Sequence, residues 1–297
     1  MIWKFTNTNS EQTKKRPPIG GLFLYNKCTL WSEMKSTCYY IILLLIPLSS
    51  FGQNNFINSA QSLGIGDCYT TQEGIWSIVT NPAGVSNNKE FQVGIGIKNN
   101  FSIKELSSKT VAASIPSNSG VFGLSIQQYG FELYSESKFG LSFSKSLSET
   151  FKSGIKIDYY NTHIQNTVNR GFFTFEIGMK KQLNRNLSIG SFLHDPLRLS
   201  TNSDIPSIVS VGLQYKVNPR VNLYSETESL NYGNMNLKFG LEYQIIEKMY
   251  LRTGYNRLNN KNTFGFAYQY RNYILNIATY HHQTLGFSSQ FSINTYF

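Results

Sequence analysis

The sequence has few charged residues, few cysteines and few prolines, and these shortages exclude several classes of protein. Of its 297 residues 15% are charged, 3 are cysteine and 8 are proline, whereas 14% are aromatic. Disordered chains have the opposite bias, because they hold too few apolar residues to bury a core. The net charge is +10, but no Lys/Arg cluster or RNA-binding motif occurs, so nucleic acid is not an expected partner.

The chain also lacks an apolar run long enough for a transmembrane helix, which needs about 20 residues. The run YYIILLLIPL at 39–48 is shorter and fits the apolar core of a signal peptide. A start at Met34 and small residues at Ser50 and Gly52 predict a signal peptide over 34–52, cleaved before Gln53. Residues 1–33 are then expected to be a mis-called translation start or, alternatively, a cytosolic extension.

Cysteine and histidine placement gives no sign of a metal or catalytic centre. Cys28 and Cys38 precede the predicted cleavage site, so only Cys68 remains, which forms neither an intrachain disulfide nor a four-ligand cluster. The four histidines have no zinc-binding spacing, and no nucleophile-elbow or phosphate-loop motif occurs. No catalytic residue, metal or cofactor is therefore predicted. His194 is expected to be a polar loop flank rather than part of a Ser–His–Asp site.

From residue 89 to the end the hydrophobic pattern has period two. In 286–297, for example, aromatic and aliphatic side chains fall mainly on one face and Ser, Gln and Asn mainly on the other. Runs of this kind number about fourteen, with lengths that suit strands tilted across a bilayer. The fold class predicted is all-β, a transmembrane antiparallel β-barrel over 89–297. The predicted strands are 90–98, 109–116, 120–128, 137–147, 152–161, 171–181, 187–194, 207–217, 220–227, 235–246, 249–256, 262–271, 273–281 and 286–297.

Connections between these runs alternate between short and long, as in bacterial outer-membrane barrels with tight periplasmic turns and longer outer loops. The longest is 195–206. A soluble all-β protein with one apolar face is the alternative. The terminal Phe297 matches the signal that outer-membrane assembly machinery reads. The expected location is thus the bacterial outer membrane, with its lipids and assembly machinery as partners.

Tyrosines near predicted strand ends are expected to form the aromatic girdles of a membrane barrel. They are Tyr159, Tyr160, Tyr215, Tyr224, Tyr250, Tyr268, Tyr270 and Tyr273.

Residues 53–88 are too few for a domain and are predicted to be a short N-terminal plug. Helical or irregular stretches are expected near 56–63 and 73–79. A turn follows at Asn81, Pro82, Ala83 and Gly84, where proline fixes φ, Gly84 allows positive φ and the asparagine bonds nearby backbone. Strand glycines are expected to let the plug approach the wall. They include Gly94, Gly96, Gly140, Gly178 and Gly240.

The plug sequence carries a family resemblance. Ala60, the glycine motif Leu63-Gly64-Ile65-Gly66, Trp76-Ser77 and the Asn81-Pro82-Ala83-Gly84 turn resemble the opening of the PorV/PorQ group. These are FadL-like barrels of type IX-secreting bacteria, and the chain departs from their pattern at Asp67-Cys68-Tyr69.

The resemblance implies a non-enzymatic protein with one of two roles. The main expectation is an accessory of type IX secretion or surface-protein handling, with secretion proteins or cargo as partners. The alternative is a plug-gated channel for hydrophobic small molecules. An accessory should fill its lumen and order the outer loop 195–206, whereas a hydrophobic-solute channel should show an apolar pocket between plug and wall.

Overall fold

The computed structural model describes residues 59–196, 206–231, 233, 235–258, 260–282 and 284–297. The predicted signal peptide, the residues before it, plug residues 53–58 with the start of the helical stretch predicted near 56–63, and most of the loop 195–206 lie outside these residues. Within the described part of the chain, no helix is long and apolar enough to cross a membrane.

Fourteen strands form the body of the protein, as the period-two pattern predicted, and most bounds agree within about three residues. In chain order β1 to β14 are Gln92–Asn99, Ser107–Ser117, Gly120–Gly130, Tyr134–Ser146, Phe151–Ile164, Arg170–Gln182, Leu187–His194, Ile208–Asn218, Val221–Leu230, Met235–Ile246, Met249–Asn256, Lys261–Tyr270, Tyr273–His282 and Gly286–Tyr296.

The strands close into one antiparallel barrel in which each pairs with its sequence neighbours and β1 pairs with β14. The closing register runs from Gln92 opposite Tyr296 to Asn99 opposite Ser289. Among the described strand pairs the register shifts only between Lys216 and Asn218 and between Gln244 and Ile246. The wall therefore pairs its own backbone groups without an edge, which is the condition for a sheet to stand in lipid.

The two ends of the barrel differ in the length of their connections. At the end where the chain enters β1 and leaves β14, strands join through short turns such as 118–119 and 219–220. We call this the turn end. The opposite, loop end carries longer connections, including 100–106 and 195–207.

Side chains alternate between a lipid-type outer face and a polar lumen. In β14 the outward Phe287 and Phe291 are 60% and 51% exposed, whereas the inward Ser288 and Ser292 are buried. Three of the tyrosines predicted to form girdles depart from that expectation. Tyr160 and Tyr224 point into the lumen and are buried, because they fall on the inward register of β5 and β9. Tyr250 falls on the inward register of β11, opposite the buried Ala267, and lines the lumen.

The plug consists of three short helical pieces inside the described chain. Helix α1, Ala60–Gly64, begins with a capping box in which Ser59 and Ser62 bond each other's backbone amides. Two 3₁₀-helices follow, Ile75–Val79 and Pro82–Val85. A further 3₁₀-helix, Lys104–Leu106, lies in the β1–β2 connection.

Candidate functional site

The plug is held in the lumen at several points along its length, beginning at the glycine motif. Helix α1 packs on β11 to β14, and the added methyl of an alanine at Gly64 would lie 3.1 Å from the Cα of Gly265. Gly66 has φ +74, and its N–H donates to Thr263 Oγ1 at 3.0 Å. A side chain there would meet the backbone of β10 and β11, so this position suits glycine on both counts.

Polar contacts continue through the next four residues. Asp67 lies 2.7 Å from the ammonium of Lys261. Glu226 of β9 binds the next part of the plug. One of its carboxylate oxygens accepts hydrogen bonds from Tyr69 N–H at 2.8 Å, from Thr70 N–H at 2.9 Å and from the Thr70 hydroxyl at 2.9 Å. The other oxygen lies 3.0 Å from Lys238. A buried carboxylate that accepts three hydrogen bonds from one segment fixes that segment strongly.

Glu73 forms the last charged contact of the plug, near the turn end. Its Oε1 lies 2.8 Å from Lys152 Nζ and 2.8 Å from Lys180 Nζ, while half of its side chain is exposed. Burial alone raises the pKa of Glu73, but the two lysines outweigh that effect and hold it at about 2.

The turn at Asn81, Pro82, Ala83 and Gly84 lies against β4 to β7. Asn81 Oδ1 accepts Ala83 N–H at 3.1 Å, and its amide donates to Thr70 O and to Ser191 O of β7. Ser144 donates to Pro82 O at 2.6 Å. The prediction that Gly84 has a positive φ is wrong, since Gly84 is not among the described glycines with positive φ. Glycine is required there for space instead, because an added methyl would overlap Gln72 O and Ser77 Oγ.

Glycines of the wall make room for the plug at most of the expected places. Gly94 and Gly96 face Trp76, Gly178 faces the Asn81 side chain, and Gly240 faces Ile65. Gly140 is different: a methyl there would meet Asp158, Lys156 and Ser125, so it makes room for wall side chains and not for the plug.

The loop-side half of the lumen contains a buried ion cluster that sequence reasoning missed. Lys138 lies 2.6 Å from Glu176 and 3.4 Å from Asp158, and Lys156 lies 2.9 Å from Asp158 and 3.2 Å from Glu176. Asp158, Glu176 and His194 also lie close enough together to ligate one ion. The two lysines already neutralise both carboxylates, so a metal ion would have to displace them.

His194 is not the polar loop flank that was expected. It ends β7 fully buried, with Nδ1 3.2 Å from Glu176 Oε1. Ser207 donates to the backbone carbonyl of His194 and not to its ring. His163, a second histidine near the loop end, is half-buried, and its Nδ1 lies 2.7 Å from Asn169 Oδ1. Among the described contacts, neither histidine stands between a serine and a carboxylate, as nucleophilic catalysis requires.

Two cavities lie beside the plug at the turn end. The first has a volume of about 320 Å³ and is bounded by the plug residues Gln72 and Glu73 and by the inner faces of β5 to β10. The second, about 240 Å³, lies between Trp76 and the inner faces of β1 and β11 to β14. Gln61 and Glu73 line both cavities. The wall of the first cavity carries mainly amide, hydroxyl and charged side chains, unlike the apolar pocket expected of a hydrophobic-solute channel. The wall of the second is mixed, because Ile75, Trp76 and Ile274 line it together with polar groups.

Solved structures share this architecture. The Pseudomonas putida toluene transporter TodX matches with TM-score 0.63 and 11% identity over 80% of this chain and 96% of its own. The CymD monoaromatic hydrocarbon channel matches with TM-score 0.65 and 11% identity over 83% and 99%. A FadL homologue of Pseudomonas aeruginosa matches with TM-score 0.58 and 10% identity over 81% and 98%.

These similarities establish the fold. The expected FadL-like barrel is confirmed at that level, whereas the PorV/PorQ and type IX assignment gains no support from the three structures. No protein-family model matches the sequence, and no curated protein matches it.

Proposed function

We propose that the chain is a bacterial outer-membrane channel for small molecules whose lumen is closed by a displaceable plug. The closed barrel with an apolar outer face supports the membrane location, because only helices and closed barrels satisfy their backbone in lipid. Membrane lipids and the assembly machinery are its proposed partners there. The fold shared with transporters and channels supports transport over catalysis.

The observation that carries the proposal is how the plug is attached. Between Asp67 and Glu73 its contacts with the wall are largely hydrogen bonds and ion pairs, to Lys261, Glu226, Lys152 and Lys180. Hydrogen bonds to charged groups contribute about 1.5–3 kcal/mol each, and water entering an opened lumen can replace them. Small apolar clusters that include Leu63, Ile65 and Tyr69 also hold this part of the plug. After Glu73 the plug is held mainly by one larger apolar cluster, Ile75, Trp76, Ile78, Val79 and Val85 with Ala112 and Val121. The part up to Glu73 has more contacts that water can replace, and it is the part proposed to move.

The type IX accessory role rests on the plug sequence alone, and the channel is the better supported of the two expectations. The solute is a separate question. The similar structures named as hydrocarbon channels make hydrophobic solutes the first class to test, although the first turn-end cavity is lined mainly by polar side chains.

Substitution of the plug anchor tests the channel. In Glu226→Gln the three hydrogen bonds from Tyr69 and Thr70 lose their charged acceptor, which weakens the docked plug by about 1.5 kcal/mol. The open population should rise about tenfold. Proteoliposomes with this variant should swell faster in arabinose or glucose than wild-type ones, and toluene uptake by expressing cells should be measured in parallel.

The matched control is Glu242→Gln. Glu242 is similarly buried but bonds only wall residues, among them Arg252 at 2.7 Å. It should leave permeation of both solutes at the wild-type rate. Equal permeation of sugar and toluene in all three proteins would reject a plug-gated channel.

A further inference from the structure

The two turn-end cavities are neighbours beside the plug, and Gln61 and Glu73 line both of them. We call the two together the turn-end vestibule. The first cavity, about 320 Å³, is at the lower end of the size range of small-molecule sites, roughly 300–1,000 Å³, and the second, about 240 Å³, is smaller. Its walls come from the plug and from most of the strands, so its chemistry belongs to the whole lumen and not to one patch.

Charge in the vestibule is nearly balanced. Its cations are Lys152, Lys180, Lys216 and Arg252, and its anions are Glu73, Glu149 and Glu242. Glu73 pairs with two of the lysines, and Glu242 pairs with Arg252. An ionic ligand bound at Lys152, Lys180 or Arg252 would have to break these pairs, and leaving a largely buried cation or its partner uncompensated is costly. The vestibule therefore favours an uncharged ligand.

Amide side chains supply the remaining hydrogen-bonding capacity. They are Gln61, Gln72, Gln92, Gln182, Gln214, Gln269, Asn87, Asn222, Asn276 and Asn294. An amide both donates and accepts, which is the complement of a hydroxyl group. Gln72 Oε1 and Asn276 Nδ2 are buried and have no hydrogen-bond partner within the part of the chain that the structure describes. Buried polar atoms are normally hydrogen-bonded, so these two atoms favour a polar ligand in the cavities they line.

Aromatic groups complete the lining. Tyr224 borders the first cavity, and Trp76, Tyr250 and Tyr296 border the second. Rings of this kind combine an apolar face with a polar edge, and Trp76 already directs its N–H to Asn294 Oδ1 at 3.1 Å. A pyranose has the matching surface, with apolar C–H faces and a rim of hydroxyls.

We propose that the turn-end vestibule binds an uncharged, hydroxyl-rich small molecule of the saccharide class. The inference rests on the proposed channel and names its solute class. This solute class differs from the hydrocarbons that the similar structures are named for. Amides, charged groups and ring edges can hydrogen-bond the hydroxyl groups of a saccharide, whereas a hydrocarbon would leave these polar groups of the wall without partners.

Fluorescence of Trp76 provides the test. The sequence has three tryptophans, Trp3, Trp31 and Trp76, so a full-length Trp3→Phe/Trp31→Phe chain reports on the vestibule alone. In detergent at pH 7 this protein is titrated with maltose, with sodium benzoate and with toluene. We expect a saturable change of Trp76 emission with maltose, and none with benzoate or toluene. Saturation with benzoate or toluene instead, or with none of the three, overturns the proposal.

Variants locate the binding site. Gln72→Leu/Asn276→Leu removes both orphaned groups and should weaken maltose binding at least tenfold. Gln127→Leu, a buried amide in the loop-side half of β3, should bind maltose like the parent protein. If the double variant does not fold, Gln269→Leu in the second cavity takes its place. Unchanged affinity in the vestibule variant that folds would overturn the assignment.

The outcome is independent of the channel test. Glu226→Gln proteoliposomes that become permeable while maltose fails to bind would reject the saccharide site and keep the channel. Saturable maltose binding without any permeation in Glu226→Gln would reject the channel and keep the site.

Discussion

At single positions of the plug, the space left by neighbouring atoms determines which residue can be present. Gly84 has an ordinary φ, so any residue could adopt its backbone conformation. It must still be glycine, because Gln72 O and Ser77 Oγ occupy the place of its side chain. The glycine of an Asn-Pro-Ala-Gly turn is visible in the sequence, but the reason for it lies in residues seven and twelve positions away.

Glu73 gives the plug a pH dependence. Its pKa of about 2 lies below the ordinary value of 4.5, so its ion pair stabilises the docked plug above pH 4.5. That stabilisation is lost as pH falls toward 2. For a half-exposed carboxylate it amounts to about 1 kcal/mol. Trp76 emission of the Trp3→Phe/Trp31→Phe protein should stay constant from pH 7 to 4.5 and change below it.

Two substitutions isolate this effect. Glu73→Gln should remove the change below pH 4.5 and show the shifted emission already at pH 7. Glu149→Gln alters an exposed carboxylate of the same cavity and should titrate like the parent. An unchanged acid transition in Glu73→Gln would show that other groups release the plug.

At the scale of elements, the closure between β1 and β14 depends on the end of the chain. Phe297 N–H donates to Phe91 O at 2.9 Å, and the two rings lie 5.9 Å apart. We propose that Phe297 is also read as the signal for outer-membrane assembly. Phe297→Ala, which removes the ring contact with Phe91, should therefore lower the fraction of heat-modifiable protein in isolated membranes severalfold. Phe287→Ala, in the same strand and also exposed, is the control. Equal heat-modifiable fractions in the two variants would argue against a special role for Phe297.

The strands could be predicted from sequence because a barrel wall imposes one rule on every residue. Side chains alternate between lipid and lumen, so β7, β10 and β11 have the bounds that period two predicted. The predicted strands end three residues too early at the loop ends of β5 and β9, where polar residues such as Thr162 and Glu228 continue the strand.

Pairings inside the lumen could not be predicted in the same way. Alternation assigns Lys138, Glu176 and His194 to the inner face, but which of them touch depends on strand register and barrel diameter. For the same reason Glu226 could not be predicted as a plug anchor, since it lies more than 150 residues from Tyr69 in the sequence. An inward acid opposite an inward lysine on a neighbouring strand, such as Glu226 and Lys238, was the signal that could have found it.

At the scale of the whole molecule, the structure combines a continuous barrel wall with a plug that is proposed to be displaceable. The wall is held by backbone pairing around the full circle, whereas the plug up to Glu73 is held by hydrogen bonds and ion pairs with wall side chains and by small apolar clusters. The wall should therefore survive changes that release the plug.

Single-channel recording in planar bilayers tests this division most directly. Glu73→Gln/Glu226→Gln weakens two of the polar anchors and changes no residue's backbone pairing between strands. Wild-type protein should conduct rarely at pH 7, and the double variant should show frequent, stable openings of one conductance. A double variant as silent as the wild type, or a wild type that is already fully open, would contradict a barrel closed by its plug.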